Sequence, residues 1–301
     1  MEKQKKQQTL SEKKRHQLMK IASYSSVITA VILIIIKVIS FFMTNSLAIL
    51  SSLMDSGLDF GASVVSLIAI HQSLIPADKE HRFGHGKAEA LGALAQGIII
   101  CFSGIFLFYE TLTQIFNPKP LQRFDIGVIV MLISIVITLI LVLFQRFVIK
   151  KTNSISINAD NAHYIGDISM NIGVILSMIC SYLLGWSWLD AIFALCVSVF
   201  LFYSAYKIIF KVQSILMDKE LPIETRKKIK QIVLNHALIS NIYDLRTRNS
   251  GQNSFIQFSV SLNGNYSLQT THDLCNNLEQ EIKQFVPNCE IFIHPEPKNE
   301  K

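Results

Sequence analysis

Charge is scarce in this chain. Asp, Glu, Lys and Arg make up 17% of its 301 residues, while half are hydrophobic. A water-soluble domain carries roughly 25% charged residues. The shortage excludes an ordinary soluble protein, and the apolar abundance excludes a disordered chain. Cysteine offers no framework either. Cys101, Cys180, Cys196, Cys275 and Cys289 are odd in number and contain no CxxC, which speaks against disulfide scaffolds and thiolate metal sites. Three of them lie in apolar runs as small packing residues; the other two fit a reducing compartment. A phosphate cradle is missing as well. Lys87 of the Gly84–Lys87 stretch is followed by Ala88, so the Walker spacing fails and an ATP-driven pump is not expected. No cleavage site follows the first basic residues, which argues against a signal peptide. No enzymatic activity and no prosthetic group are expected.

What is present is apolar sequence in long runs. Six can be marked: Ile21–Phe42, Leu47–Ile70, Leu91–Phe116, Ile126–Val148, Ile155–Leu184 and Leu189–Phe210. Each is near or above the roughly 20 residues that cross a bilayer as a helix. The first, fourth and sixth are almost purely apolar and suit lipid. The second, third and fifth carry Gly, Ser and polar residues and suit the bundle interior. Net charge is +6, with the excess mostly in an N-terminal arm, residues 1–20, that includes Lys3, Lys5, Lys6, Lys13, Lys14, Arg15 and Lys20. Such an arm sets topology and touches anionic lipid. No groove-reading motif accompanies it, so nucleic acid is not an expected partner. Lys79, Arg82, Lys87, Arg146, Lys150, Lys151, Lys207 and Lys211 fall on the arm's side, and only Lys119 and Arg123 on the other. Both termini are therefore expected in the cytoplasm of a multi-pass inner-membrane protein. Trp186 and Trp188 suit an interfacial belt on the outer side.

After Phe210 the composition turns soluble. Helices are expected over Ile223–His236 and Leu268–Phe285, and strands over Ile242–Thr247, Phe255–Leu262 and Glu290–His294. Asn249–Asn253, around Gly251, reads as the turn between the first two strands. The fold class is an α-helical membrane protein: a six-helix transmembrane bundle over residues 21–211, then a cytosolic αββαβ domain of α+β, metallochaperone-like type over 212–301. The domain is small, and pairing with a second copy would help its stability.

Two carboxylates stand inside the second apolar run. Asp55 and Asp59 are spaced i,i+4 and share a helix face. Each costs roughly 2.5–3.5 kcal/mol on insertion scales, and two so close cannot both ionise unaided. A divalent cation supplies the aid, and so does a shared proton; protonated packing residues are the plain alternative. The fifth run offers His163 and Asp167, again i,i+4. Three carboxylates and one imidazole make an acceptable tetrahedral set for zinc, close to what Fe(II) or Co(II) takes. Counted at 1.5 Å per residue from the outer ends, the first pair lies at roughly 12–20 Å and the second at roughly 25–33 Å. That leaves an offset of about two helical turns. Lys37 and Glu110 sit near outer span ends, where they can snorkel, and Asp190 suits a cap of the sixth span. Between the second and third runs, the spacing of Asp78, His81 and His85 leaves open a second cation site or a merely solvated loop.

At these residues the chain resembles the cation diffusion facilitators, in particular their bacterial zinc and ferrous-iron efflux subfamily. The resemblance covers nearly the whole chain. It rests on the joint order of Ser52–Ser63 with its DxxxD, the HRFGHGKAE run at residues 81–89, the HxxxD of His163–Asp167, and Asp244-Leu245-Arg246-Thr247-Arg248. It implies that Asp55, Asp59, His163 and Asp167 form the transport site, and that Asp78, His81 and His85 form a second site. It also implies a homodimer with a charge interlock between Lys87 and Asp218. In the cytosolic domain two histidine positions of close relatives are Tyr243 and Ser259 here. His272, His294 and Glu296 remain, enough for one residual cation site at best. The activity implied is proton-coupled antiport that exports divalent cations from the cytoplasm: zinc, iron(II), or possibly cadmium or cobalt. Protons are the counter-ion. The alternative is a membrane-anchored metal sensor that does not transport.

Overall fold

The computed structural model describes residues 12–44, 47–116, 125–184, 189–251 and 253–298. Two compact units divide the chain, residues 1–212 and 213–301. The first holds six long helices: α1 Glu12–Thr44, α2 Leu47–Ser73, α3 Lys87–Phe116, α4 Asp125–Thr152, α5 Ile155–Leu184 and α6 Leu189–Leu216. Five of them, all but α5, are long and apolar enough to cross a membrane among the described residues. The first half of α5 carries Asn158, Asp160, Asn161, His163 and Asp167, which lowers its apolarity. At 30 residues it still reaches about 45 Å.

Several helices outrun the apolar runs at their polar ends. The N-terminal arm is a correction of this kind, because α1 already begins at Glu12 and residues 13–20 are helical. The reason is packing. Met19 and Ala22 are fully buried in a cluster with Ile70, Val148 and Ile157. This cluster gathers the start of α1, the ends of α2 and α4 and the start of α5 at one end of the bundle, called basal below. Residues 1–11, Lys119, Arg123, Trp186 and Trp188 lie outside the described residues, as do the side chains of Cys180 and Asp190. Asp190 stands in the first turn of α6, not before it. Of the cysteines expected as packing residues, Cys101 is half-buried and Cys196 exposed.

Close approach between helices is set by glycine. A Cβ on Gly92 of α3 would stand 2.1 Å from the Cβ of Ala69 on α2, well inside van der Waals contact. Gly166 of α5 leaves room for Leu201 of α6, whose Cδ2 would meet a Cβ at 2.6 Å. The start of α5 is held by a carboxylate from another helix. Glu89 is buried in the first turn of α3. Its Oε1 accepts hydrogen bonds from Ser154 Oγ at 2.5 Å, Ile155 N at 2.7 Å and Ser156 N at 3.4 Å. Helix N-termini expose unpaired N–H groups and positive partial charge, and Glu89 answers both from inside the bundle.

In the second unit, α7 Ile223–Leu234 and α8 Leu268–Phe285 cover one face of a sheet ordered β1-β2-β3, with β1 Ile239–Ser250, β2 Asn253–Leu262 and β3 Cys289–Pro297. The β1–β2 pair is antiparallel and the β2–β3 pair parallel, so the order is αββαβ. Ile229, Val233, Ile256, Phe258, Val260, Leu278 and Ile282 form its core. Ser250 pairs with Asn253 across the turn, where Gly251 has φ +65°, as tight hairpins require. The strand β1 is longer than its apolar pattern predicts. It is broken by an irregularity between Tyr243 and Arg246, where Asp244 takes φ +49°. Burial raises the thiols of Cys275 and Cys289 above their ordinary range, which keeps them unreactive.

Three substitutions test this packing, each read as thermal unfolding of the purified full chain. Gly92→Val forces α2 and α3 apart and should cost about 1–3 kcal/mol or more. Gly61→Ala enters open space and should be neutral or stabilising by about 0.5–1 kcal/mol. Glu89→Ala leaves the start of α5 uncapped inside the bundle and should cost on the order of 2–4 kcal/mol.

Candidate metal centre

The helices α2 and α5 meet through three polar contacts in one antiparallel register. Ser66 Oγ lies 3.0 Å from Ser156 Oγ, Ser63 Oγ lies 2.8 Å from Tyr164 Oη, and Asp59 Oδ1 lies 2.9 Å from His163 Nε2. The depth offset counted from the sequence is therefore absent. The span ends do not share a plane: the start of α5 is sunk in the bundle and capped by Glu89, so end-counting misplaces its residues.

His163 Nε2 also stands 4.0 Å from Asp167 Oδ2. One ligand atom each from Asp59, His163 and Asp167 falls within 4.8 Å of the other two. Side-chain exposure is 8% for His163, 15% for Asp59 and 34% for Asp167. Asp167 Oδ2 is itself buried and has no hydrogen-bond partner among the described residues. A buried carboxylate oxygen facing an imidazole and a second carboxylate is short of positive charge, and a cation supplies it. Asp55, the fourth residue of the expected set, is not part of this cluster. It is exposed and stands apart from the three, one helical turn farther from the basal end. The register of α2 against α5 nonetheless sets it level with Asp167. Lys37 is also corrected. Its ammonium turns onto α2 and donates to Ser52 O at 2.9 Å and Ser56 Oγ at 2.6 Å, so it binds a neighbouring helix instead of snorkelling. Glu110 is exposed and lines a cavity of about 200 Å³ with Thr111, Met170 and Phe193.

One turn basal to His163 is a carboxylate that the sequence reading passed over. Asp160 is 1% exposed. It accepts from Ser26 Oγ at 2.5 Å, Gln145 Nε2 at 2.6 Å, Gln96 Nε2 at 3.1 Å and Ser63 Oγ at 3.5 Å. A signal existed: an aspartate at i−3 from a candidate ligand, inside a spanning segment.

The loop between α2 and α3 brings Asp78, His81 and His85 together. His81 Nδ1 stands 3.7 Å from Asp78 Oδ1, and His85 Nε2 stands 3.5 Å from Oδ2. Asp78 Oδ1 accepts the backbone N–H groups of Glu80 at 2.9 Å and His81 at 2.6 Å, a local turn typical of Asp. The His81 N–H in particular holds the Asp78 carboxyl below the usual carboxylate range. The turn therefore has its full support above the unfolded carboxyl value, and loses it only as pH falls through the lower folded value. His85 Nδ1 is buried without a hydrogen-bond partner among the described residues. All three groups offer ligand atoms within 4.8 Å of one another.

In the second unit the residual set does not assemble. His294 Nε2 lies 3.7 Å from Glu296 Oε1 on β3. His272 sits on the exposed side of α8 and accompanies Asn276 at 3.2 Å. Among the described residues no three-membered metal cluster includes them. The helix α8 buries Leu274, Leu278 and Ile282 against the sheet, which turns His272 outward. Tyr243, Ser259 and His294 align across the three strands, so Ser259 stands between Tyr243 and the remaining histidine. Asp218 has a local role. Its φ of +52° ends α6, with Asp218 N bonded to Ile215 O and Lys219 N to Ser214 O, a left-handed C-cap. Its Oδ2 accepts from Arg248 at 3.3 Å, and Glu220 binds Thr247 through both its N–H and its hydroxyl. Thr247 and Arg248 thus tie residues 218–220 to the sheet within the second unit. An interlock of Asp218 with Lys87 of a second copy would be an added contact.

Residues 23–217 match the model of the cation efflux transmembrane domain, and residues 221–298 that of the cation efflux protein cytoplasmic domain. The chain is 39% identical to the cation-efflux pump FieF of Klebsiella pneumoniae subsp. pneumoniae over 92% of both chains. It is 38% identical to that of Shewanella oneidensis over 92% of this chain and 94% of the other. It also resembles the metal-bound C-terminal domain of the CzcD transporter from Thermotoga maritima, at 22% identity and a TM-score of 0.25, over 26% of this chain and 94% of that one. The chain belongs to the cation efflux family.

Proposed function

We propose that this chain is a proton-coupled antiporter that exports zinc or iron(II) from the cytoplasm, with Asp59, His163 and Asp167 holding the cation and Asp55 joining as the fourth ligand. The observation that carries the reading is the trio across α2 and α5, with His163 buried and an Asp167 oxygen that has no hydrogen-bond partner among the described residues. Membership of the family and the similarity to FieF pumps support cation export. One imidazole with carboxylates suits zinc, iron(II) or cobalt(II) better than a calcium or copper(I) site. The imidazole must be neutral to ligate, and carboxylates must be ionised, so protons compete with the cation for the same groups. That competition supplies the coupling: metal enters from one side, and protons displace it on the other. The bundle has six spans with both termini cytoplasmic, and the loop site of Asp78, His81 and His85 lies at the cytoplasmic mouth, where it collects cation.

The cytoplasmic domain works mainly by packing against a second copy, with any metal at His294 and Glu296 supplementary. A sensor acting through that domain alone has no use for a ligand trio in the spans, which is why transport is favoured over sensing.

In proteoliposomes with an imposed pH gradient, zinc or iron(II) flux should depend on the gradient. It should fall by about a hundredfold or more in Asp59→Ala and His163→Ala, since a missing ligand costs several kcal/mol. Equilibrium zinc affinity should fall as pH drops through the imidazole range. Undiminished flux in both variants would remove the site from α2 and α5, and a pH-independent affinity would end the proton coupling.

A further inference from the structure

We infer that Asp160 is a positioning residue for transport: its carboxylate is the latch that closes the basal side of the metal site by holding α1, α2, α3 and α4 to α5. The inference rests on the transport reading above. It is carried by the origin of the four donors. Ser26 belongs to α1, Ser63 to α2, Gln96 to α3 and Gln145 to α4, and each points its donor at one carboxylate on α5. All four are fully or almost fully buried.

A second layer braces the first. Gln145 Nε2 also donates to Ser26 Oγ at 2.9 Å, Asn161 Nδ2 donates to Gln145 Oε1 at 3.0 Å, and Tyr164 Oη donates to Ser63 Oγ at 2.8 Å, which leaves the single Ser63 proton for Asp160. Four donors occupy the four acceptor sites of a carboxylate. Asp160 therefore has no oxygen lone pair left for a metal, so its role is to hold helices and not to ligate.

The site is asymmetric about this cage. Asp55 is exposed, and Asp59 and Asp167 retain some exposure. The residues basal to the site, by contrast, are sealed: Asp160, Ser63, Ser66, Gln96, Gln145 and Ser156. A cation arriving from the basal end has to pass the cage, and can do so only when the helices part and water replaces the donors. The cage is also one donor short of complete. Gln96 Oε1 is buried without a partner among the described residues, a cost that fits an element built to come apart. The structure holds the closed arrangement, and the hydrated one reached when the helices part is the second state that a gate needs.

The test reads access directly and without metal. Ser66→Cys puts a thiol between the cage and the basal end, and a charged maleimide is applied to the cytoplasmic face of inside-out membrane vesicles. Labelling is measured against the chain lacking this substitution. Asp160→Asn turns one acceptor into a donor at unchanged volume. It should speed labelling about tenfold, a shift of roughly 1.4 kcal/mol in the closed-to-open balance. Zinc affinity of the purified chain, measured by calorimetry, should stay within about threefold. The exchanged pair, Asp160→Asn with Gln145→Glu, restores an acceptor to the cage and should return labelling to the slow rate. If Asp160→Asn does not fold, Gln145→Leu removes three bonds of the network and should open access in the same way. Unchanged labelling in every variant that folds would overturn the inference. So would a loss of zinc binding without a change in labelling. Absent zinc flux in the parent chain, with labelling behaving as expected, would fault the transport reading and leave the latch standing.

Discussion

A carboxylate cannot be buried in a low-dielectric bundle without something to balance it, and this constraint organises the first unit of the structure. An intramembrane acid is costly in every estimate, yet the helices bury several. Each is balanced differently. Glu89 is balanced by the open N–H groups at the start of α5. Asp160 is balanced by four neutral donors from four helices. Asp59 and Asp167 share one imidazole between them, which leaves the group short of positive charge. The first two arrangements are self-sufficient and structural. The third is incomplete, and incompleteness is what a binding site for a passing cation requires.

The balance also explains how the helices are placed. Glu89 sinks the start of α5 into the bundle, and that displacement brings His163 level with Asp59. Asp160, one turn lower, then meets donors from all the remaining central helices. Close crossings at Gly92 and Gly166 let the backbones approach until these short polar side chains can touch, as small residues do in membrane bundles. The second unit solves a different problem. Its sheet is covered on one face by α7 and α8, and the other face carries Tyr243, Ser259 and His294 in one row. A tyrosine and a serine offer poor metal ligands there but good packing and hydrogen-bonding surface.

Much of this was legible in the sequence, and the limits have physical causes. The i,i+4 pairs in α2 and α5 stood out because charge is rare in apolar runs, and spacing fixes their shared face. The order αββαβ followed from alternation and turn residues, and α8 runs from Leu268 to Phe285 as its periodicity predicts. The extension of α1 to Glu12 was not legible, since basic residues give no apolar signal and their helix is held by burial of Met19. The meeting of Asp59 with His163 was not legible either, because span ends carry no record of relative height. Asp160 escaped for a related reason. It lies near the start of its run among Asn158 and Asn161, where polar residues suggest a helix end, and its partners come from four distant segments. Local pattern reveals which residues are unusual; only the assembled bundle reveals what balances them.

The central claim is that a metal cation completes the trio of Asp59, His163 and Asp167 between α2 and α5. Zinc K-edge X-ray absorption tests it most directly, on the chain with Asp78, His81, His85, His272 and His294 replaced by alanine so that neither the loop nor the cytoplasmic domain can contribute. The account predicts one bound zinc with four nitrogen or oxygen neighbours at about 2.0–2.1 Å, including the scattering of a single imidazole, and loss of that signal in His163→Ala. A first shell with two or more imidazoles, or a signal that survives His163→Ala, would contradict it.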